Sequence, residues 1–252
     1  MATEHWSNLS VLERGDLFFL YRPNEDRYEP GGLLDVRRFY MVLHPQGQER
    51  FRLIAIGKKK LPGAGDGSRR HWGFVDGVFQ TALELRQAAA GLPALGDAGG
   101  ENLRPAGEGV YALALHGNHT HLAYVLELPP SPGEVQEAFN IKPEGRFVIA
   151  VKNPEASSPP GVGLELDRQP DFPRELHARF GDRRWVSVDP PEFLDYEGCE
   201  IVLIGGKDDL GEDLGINLKA HPEDEETAEI FKDLHMERTE RTIKPLFEGV
   251  WE

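Results

Sequence analysis

Apolar residues in this chain come in short runs cut by glycine, proline and charge. DLFFLY, RFYMVL, FRLIAI, RFVIAV and EIVLIGG are each too short for an ordinary helix and are bounded by turn-forming residues, the pattern of buried strands. In the N-terminal part this predicts strands over 16–22, 37–44, 50–57 and 71–76, with RPNEDRYEPGG and LPGAGDGS as loops. VFQTALELRQAAA, 78–90, predicts a helix with Phe79, Ala82, Leu83 and Arg86 along one face.

The C-terminal part alternates. A hairpin over 108–128 leads to SPGEVQEAF, 131–139, where Ser131 as N-cap, Pro132 at the first helical position and Glu134 suggest a capping box. RFVIAV, RRWVSVD and CEIVLIGG read as strands, and Phe172, Leu176 and Phe180 predict a short helix over 172–180. DPPEFLDY repeats the capping logic with Asp189, Pro190 and Glu192. PEDEETAEIFKDLHM, 222–236, predicts an amphipathic helix whose acidic first turn suits the helix dipole.

Together these elements predict an α+β fold, β-rich with antiparallel hairpins at the N-terminus and α/β-like at the C-terminus. The division expected is a β-rich module over 1–95, a Gly-rich linker over 96–104 and an acidic α+β module over 105–252. Three β-like runs recur in order: GDLFFLY, FYMVLHP and RFRLIAIGK, then EGVYALAL, AYVLELP and RFVIAVK. A weak duplication of a three-strand module would explain them and would pack two similar modules face to face.

Charge sharpens the division. Residues 1–104 carry 14 Lys/Arg against 13 Asp/Glu, whereas 105–252 carry 14 against 30, and the whole chain is at −15. The acidic half should repel nucleic acid and anionic membrane and offers a surface for a protein partner. No apolar stretch is long enough to cross a bilayer, and MATEHWSNLSVLERGD lacks the basic start and apolar core of a signal peptide. One cysteine, Cys199, allows no internal disulfide and reads as a small buried hydrophobe, so a cytoplasmic protein is expected.

Candidate chemistry concentrates in HGNHTHLAY, 116–124. Gly117-Asn118 suits a type II′ hairpin, which pairs His116 with His119 and Ala114 with His121. Alternation then puts Tyr111, Leu113, Leu115, Thr120, Leu122, Tyr124 and Leu126 on a core face. His116, His119 and His121 fall on the other, among alanines. Three imidazoles at cross-strand spacing can bind one divalent transition metal, with an open position for a zinc-type hydrolase. The same pattern also suits a polar strand tip. HExxH, Walker A, GxGxxG, GxSxG and paired-CxxC patterns are all absent.

The basic clusters GKKKLP and SRRHWGFVD bring Lys58, Lys59, Arg69, Arg70, His71 and Trp72 together as a second candidate, a ligand or nucleic-acid loop with an aromatic ring for stacking. RGDLFFLY followed by a loop and RFYMVL, residues 14–43, resembles small SH3-like barrels of the toxin endoribonuclease kind, in which Gly-Asp precedes the first strand. Those motifs are made of common residue types, and no catalytic residue transfers. The leading expectation is therefore a non-enzymatic binding or interaction protein. The alternatives are a metal-dependent hydrolase at the hairpin and a nucleic-acid module at 57–72, the latter disfavoured by the acidic total charge.

Overall fold

The computed structural model describes residues 9–24, 29–63, 70–90, 103–158, 163–164, 168–205, 218 and 220–251. In chain order the strands are β1 (Leu9–Pro23), β2 (Val36–Pro45), β3 (Phe51–Ile56), β4 (Arg70–Phe79), β5 (Arg104–His116), β6 (His119–Leu128), β7 (Glu144–Lys152), β8 (Trp185–Ser187) and β9 (Glu200–Gly205). Among the described residues, five short α-helices accompany them: α1 (Ala82–Ala90), α2 (Glu134–Phe139), α3 (Arg174–His177), α4 (Glu229–Lys232) and α5 (Glu240–Ile243).

Eight of the strands close an antiparallel barrel in the order β1-β2-β3-β4-β9-β7-β6-β5, with β5 returning to β1. The molecule is thus mostly β, which corrects the α+β expectation and the α/β reading of the C-terminal half. Strands on both sides of the glycine-rich stretch share this one barrel. Instead of two three-strand modules face to face, β1–β4 and β5, β6, β7 and β9 form two four-strand meanders that meet edge to edge at two seams.

Pairing at both seams is antiparallel. In the β1–β5 seam, Gly15↔Tyr111 and Leu17↔Gly109 flank Asp16↔Val110. In the β4–β9 seam, Arg70↔Ile204 and Phe74↔Glu200 flank Trp72↔Val202.

Alternation along each strand fills the interior. Phe19, Tyr21, Phe39, Met41, Ile54, Tyr111, Leu113, Leu122, Tyr124, Phe147, Ile149, Ile201 and Leu203 form one buried cluster. One barrel end is plugged by α2, whose Phe139 stacks on Phe39 at 4.5 Å and tilts against Tyr21 and Trp251. The other end is plugged by the 3-10 turn Pro191–Asp195 and by a buried polar group around Arg52. A second apolar layer lies outside: Phe18, Leu20, Tyr40, Val42, Leu53 and Ala55 are covered by α1 and by Ile230, Phe231, Leu234 and Leu246.

The local signals misled where proline and acidic residues imitated helix starts. The N-cap of α2 is Gly133, not Ser131, and the Gln136 side-chain oxygen accepts the Gly133 N–H at 2.9 Å. Gln136 is fully buried and donates to the Ala106 and Pro245 carbonyls, which ties α2 to β5 and to the C-terminus. Of 222–236 only Glu229–Lys232 is helical, and Glu108 on β5 accepts the N–H groups of its first turn, from Glu229 and Ile230. Cys199 is buried in the interior cluster, and burial pushes its thiol up and away from nucleophilic use. Among the described residues no helix is long and apolar enough to cross a membrane.

Candidate functional site

The hairpin follows from its turn. Gly117 takes φ +58°, as the first position of a type II′ turn requires, and His116 pairs with His119 and Ala114 with His121. Tyr111, Leu113, Leu122 and Tyr124 enter the core, while His116, His119 and His121 face outward. The His116 and His121 rings lie 6.3 Å apart. Burial lowers the His121 pKa to about 4, and Arg146, His116 and His119 push it the same way. Among the described residues, two sets of three groups bring ligating atoms within 4.8 Å of one another, and neither contains a hairpin histidine. The imidazoles share a face without converging on a point.

The basic loop is similarly dispersed. Lys58 is exposed, but Lys59, at φ +55°, gives its ammonium to the Val36 carbonyl. His71 points into the barrel, where its Nδ1 lies 2.9 Å from the Lys60 carbonyl oxygen, and Arg69 lies outside the described residues. Arg70 and Trp72 alternate to the outer wall at the β4–β9 seam.

That wall holds a cleft of about 660 Å³, which joins parts of both candidates. β7 creates it. Its edge pairs with β6 up to Thr120↔Ile149 and then with β8 from Ala150↔Ser187, so the hairpin tip abuts β8 end to end. Val148, Ala150, Val202 and Ile204 form the apolar floor, and Arg70, His119, Arg183, Trp185, Ser187 and Asp189 stand around it. Trp72 backs Trp185 edge-on at 5.0 Å. The Arg183 guanidinium is held by the Arg179 and Phe180 carbonyls, and neither it nor Arg70 forms an ion pair among the described residues. Two cations beside an indole over an apolar floor can seat a flat anionic ligand. Trp185 and Arg183 were missed because RRWVSVD reads only as a strand; the alternation of Trp185 and Ser187 was its one local hint.

The opposite seam carries opposite charge. Asp16, Glu108 and Glu127 project from β1, β5 and β6 towards Glu223, Glu229 and Asp233. Glu108 accepts the N–H groups of Glu229 (3.1 Å) and Ile230 (2.8 Å), and Glu127 accepts that of His221 at 2.6 Å. His44 Nδ1 lies 3.5 Å from Asp233 and 3.7 Å from Asp16. Asp16–His44–Asp233 and Glu127–Glu223–Glu229 are the two sets with ligand spacing. Here their carboxyls fasten the C-terminal segment and share protons. Sequence patterning could not find this cluster, because members such as Asp16 and Asp233 lie at opposite ends of the chain.

Burial raises the pKa values of Glu108, Glu127 and Asp16, with Glu223 adding to the rise at Glu108. Burial and four neighbouring carboxylates bring Glu229 to about 7, and the Asp233 carboxylate beside His44 raises that imidazole. The folded chain therefore holds more protons than the unfolded one above the ordinary carboxylate range, so stability falls as pH rises. His121, with its lowered pKa, acts in the other direction but only below its ordinary value of 6.5. Calorimetry should show the melting midpoint falling between about pH 6.5 and 8.5. Glu108→Gln, which resembles the protonated acid, should flatten that slope; a midpoint that rises over this range would contradict the assignment.

Comparison with protein-family models, with curated proteins and with solved structures finds no match for this chain.

Proposed function

We propose that this chain is a cytosolic, non-enzymatic binding protein whose outer cleft takes a small anionic molecule bearing a flat aromatic ring. The observation that carries the reading is the pairing of Arg70 and Arg183 with Trp185 over an apolar floor, in a chain whose net charge is −15. Cations without an ion pair among the described residues, in so acidic a molecule, favour an anionic ligand. The cleft volume of about 660 Å³ falls within the roughly 300–1,000 Å³ of small-molecule sites. Ser187, Asp189 and Asn118 supply polar groups to orient the ligand. The dispersal of Lys59, His71 and Arg70 over three directions favours a compact ligand over a nucleic-acid strand.

Adenosine monophosphate is a suitable probe, having one flat ring and one anion. It should quench tryptophan fluorescence saturably. Arg70→Gln should weaken binding about tenfold, the loss of one charge-assisted hydrogen bond, and Trp185→Leu should remove most of the signal. If neither this nucleotide nor a simple aryl phosphate gives a saturable change, the reading fails.

A further inference from the structure

Among the described residues, the outer face of the β6–β7 pair contains a charge with no counter-charge. Arg146 is 8% exposed, and its Nε and Nη1 are buried without a hydrogen-bond partner. The Nδ1 of His121 is also buried without one. Register makes them neighbours: His121 pairs with Val148 and Ala123 with Arg146, so Arg146 and His121 sit diagonally on one face. Ala112, Ala114 and Ala123 lie on that face, with Leu9, Val125 and Leu218 packed against them.

An unpaired buried guanidinium is expensive, and it has no chemical escape. A buried lysine or glutamate can lose its charge by shifting its pKa, whereas arginine stays protonated at any pH a protein survives. The charged or titratable groups facing His121 are Arg146 on β7 and His116 and His119 on the hairpin, all basic. Among the described residues every local group therefore works in the same direction, and the component that would complement them is an anion.

We propose that this face binds a small oxyanion of the phosphate class between Arg146 and His121. Nε and Nη1 of Arg146 form a side-on fork that donates to two oxygens of a tetrahedral anion. The Nδ1–H tautomer of neutral His121 donates to a third. The three-histidine face read from the sequence as a cation site is, on this geometry, an anion site. The inference does not rest on the cleft reading, since its probe is inorganic phosphate alone and its readout is His121 in place of Trp185.

The test is an NMR titration of the imidazole resonances of the full chain with inorganic phosphate, at ionic strength held constant with sodium chloride. Phosphate should shift the His121 signals saturably and raise the pH at which that ring titrates. Arg146→Met removes the unpaired charge and keeps the bulk of the stem. It should fold with an unchanged or higher melting midpoint in phosphate-free buffer and lose at least nine-tenths of the phosphate-dependent shift. Arg146→Lys, a charge without the fork, should retain only part of it.

Three results would each overturn the proposal: a His121 response to chloride or acetate equal to that with phosphate, a phosphate response that survives in Arg146→Met, or an Arg146 Nε–H already bonded to a carboxylate of the same chain in phosphate-free buffer.

Discussion

Replacing Arg52 with Met should lower the unfolding free energy by about 3–5 kcal/mol, the usual cost of removing one partner from a buried ion pair. Arg52 is only 1% exposed. Its Nε donates to Asp195 at 2.7 Å and its Nη1 to Glu13 at 2.6 Å. Tyr111 donates its hydroxyl to the same Glu13 oxygen at 2.7 Å, and Arg50 holds the other oxygen of Asp195. The group joins β1, β3, β5 and the turn Pro191–Asp195, so it closes one barrel end with chain from both meanders. Without Arg52, Glu13 keeps only a neutral hydroxyl for company, and its charge must be solvated or neutralised. Urea unfolding of the single variant and of Arg52→Met/Glu13→Gln together measures this. The double variant should recover part of the loss, because the uncompensated charge is gone. A loss below about 1 kcal/mol would mean that the pair is as weak as a surface one.

Gly109→Ala should be comparably damaging, and so should Gly15→Ala. A Cβ at Gly109 would lie 2.1 Å from the Val125 carbonyl oxygen and 2.9 Å from the Leu126 Cα. At Gly15 the corresponding distances are 2.0 Å to the His44 carbonyl oxygen and 2.8 Å to the Pro45 Cα. Both obstacles are backbone, so relief requires the strands themselves to part next to the β1–β5 seam. The cost should reach or exceed the roughly 3 kcal/mol upper end of ordinary overpacking. Gly117→Ala is the comparison: nothing lies within 4 Å of its Cβ, and only the φ of +58° resists the substitution. It should cost about 1 kcal/mol. Thermal melts of the three variants order them, and equal effects at 109 and 117 would contradict the close approach of β5 to β6 at Gly109.

The legible parts of this fold are those whose cause is local. DLFFLY, RFYMVL, FRLIAI, RFVIAV and EIVLIGG became β1, β2, β3, β7 and β9, since an apolar run between breakers has few alternatives. The register of the hairpin was legible from Gly117-Asn118 alone. Helix 222–236 was legible only at its apolar positions: Ile230, Phe231 and Leu234 are buried against β1–β3, but the helix is the single turn Glu229–Lys232, with the Glu229 and Ile230 N–H groups given to Glu108 on a distant strand. Barrel closure was also out of reach, since it depends on β1 meeting β5 and β4 meeting β9 across long sequence separations. The candidate residues divide the same way. Arg70, Trp72 and the histidines announced themselves by composition. Arg183, Trp185 and Arg146 gained meaning only when β7 placed β6 and β8 along one edge.

Ligand binding in the outer cleft is tested most directly by mapping where the ligand sits. Amide and indole proton–nitrogen correlation spectra should be recorded on the full chain during titration with adenosine monophosphate. The account predicts saturable shifts at the Trp185 indole and at the amides of Arg70, His119, Ser187 and Val202, with β1–β2 silent. Shifts centred on any other face, or no saturable shift, would contradict it.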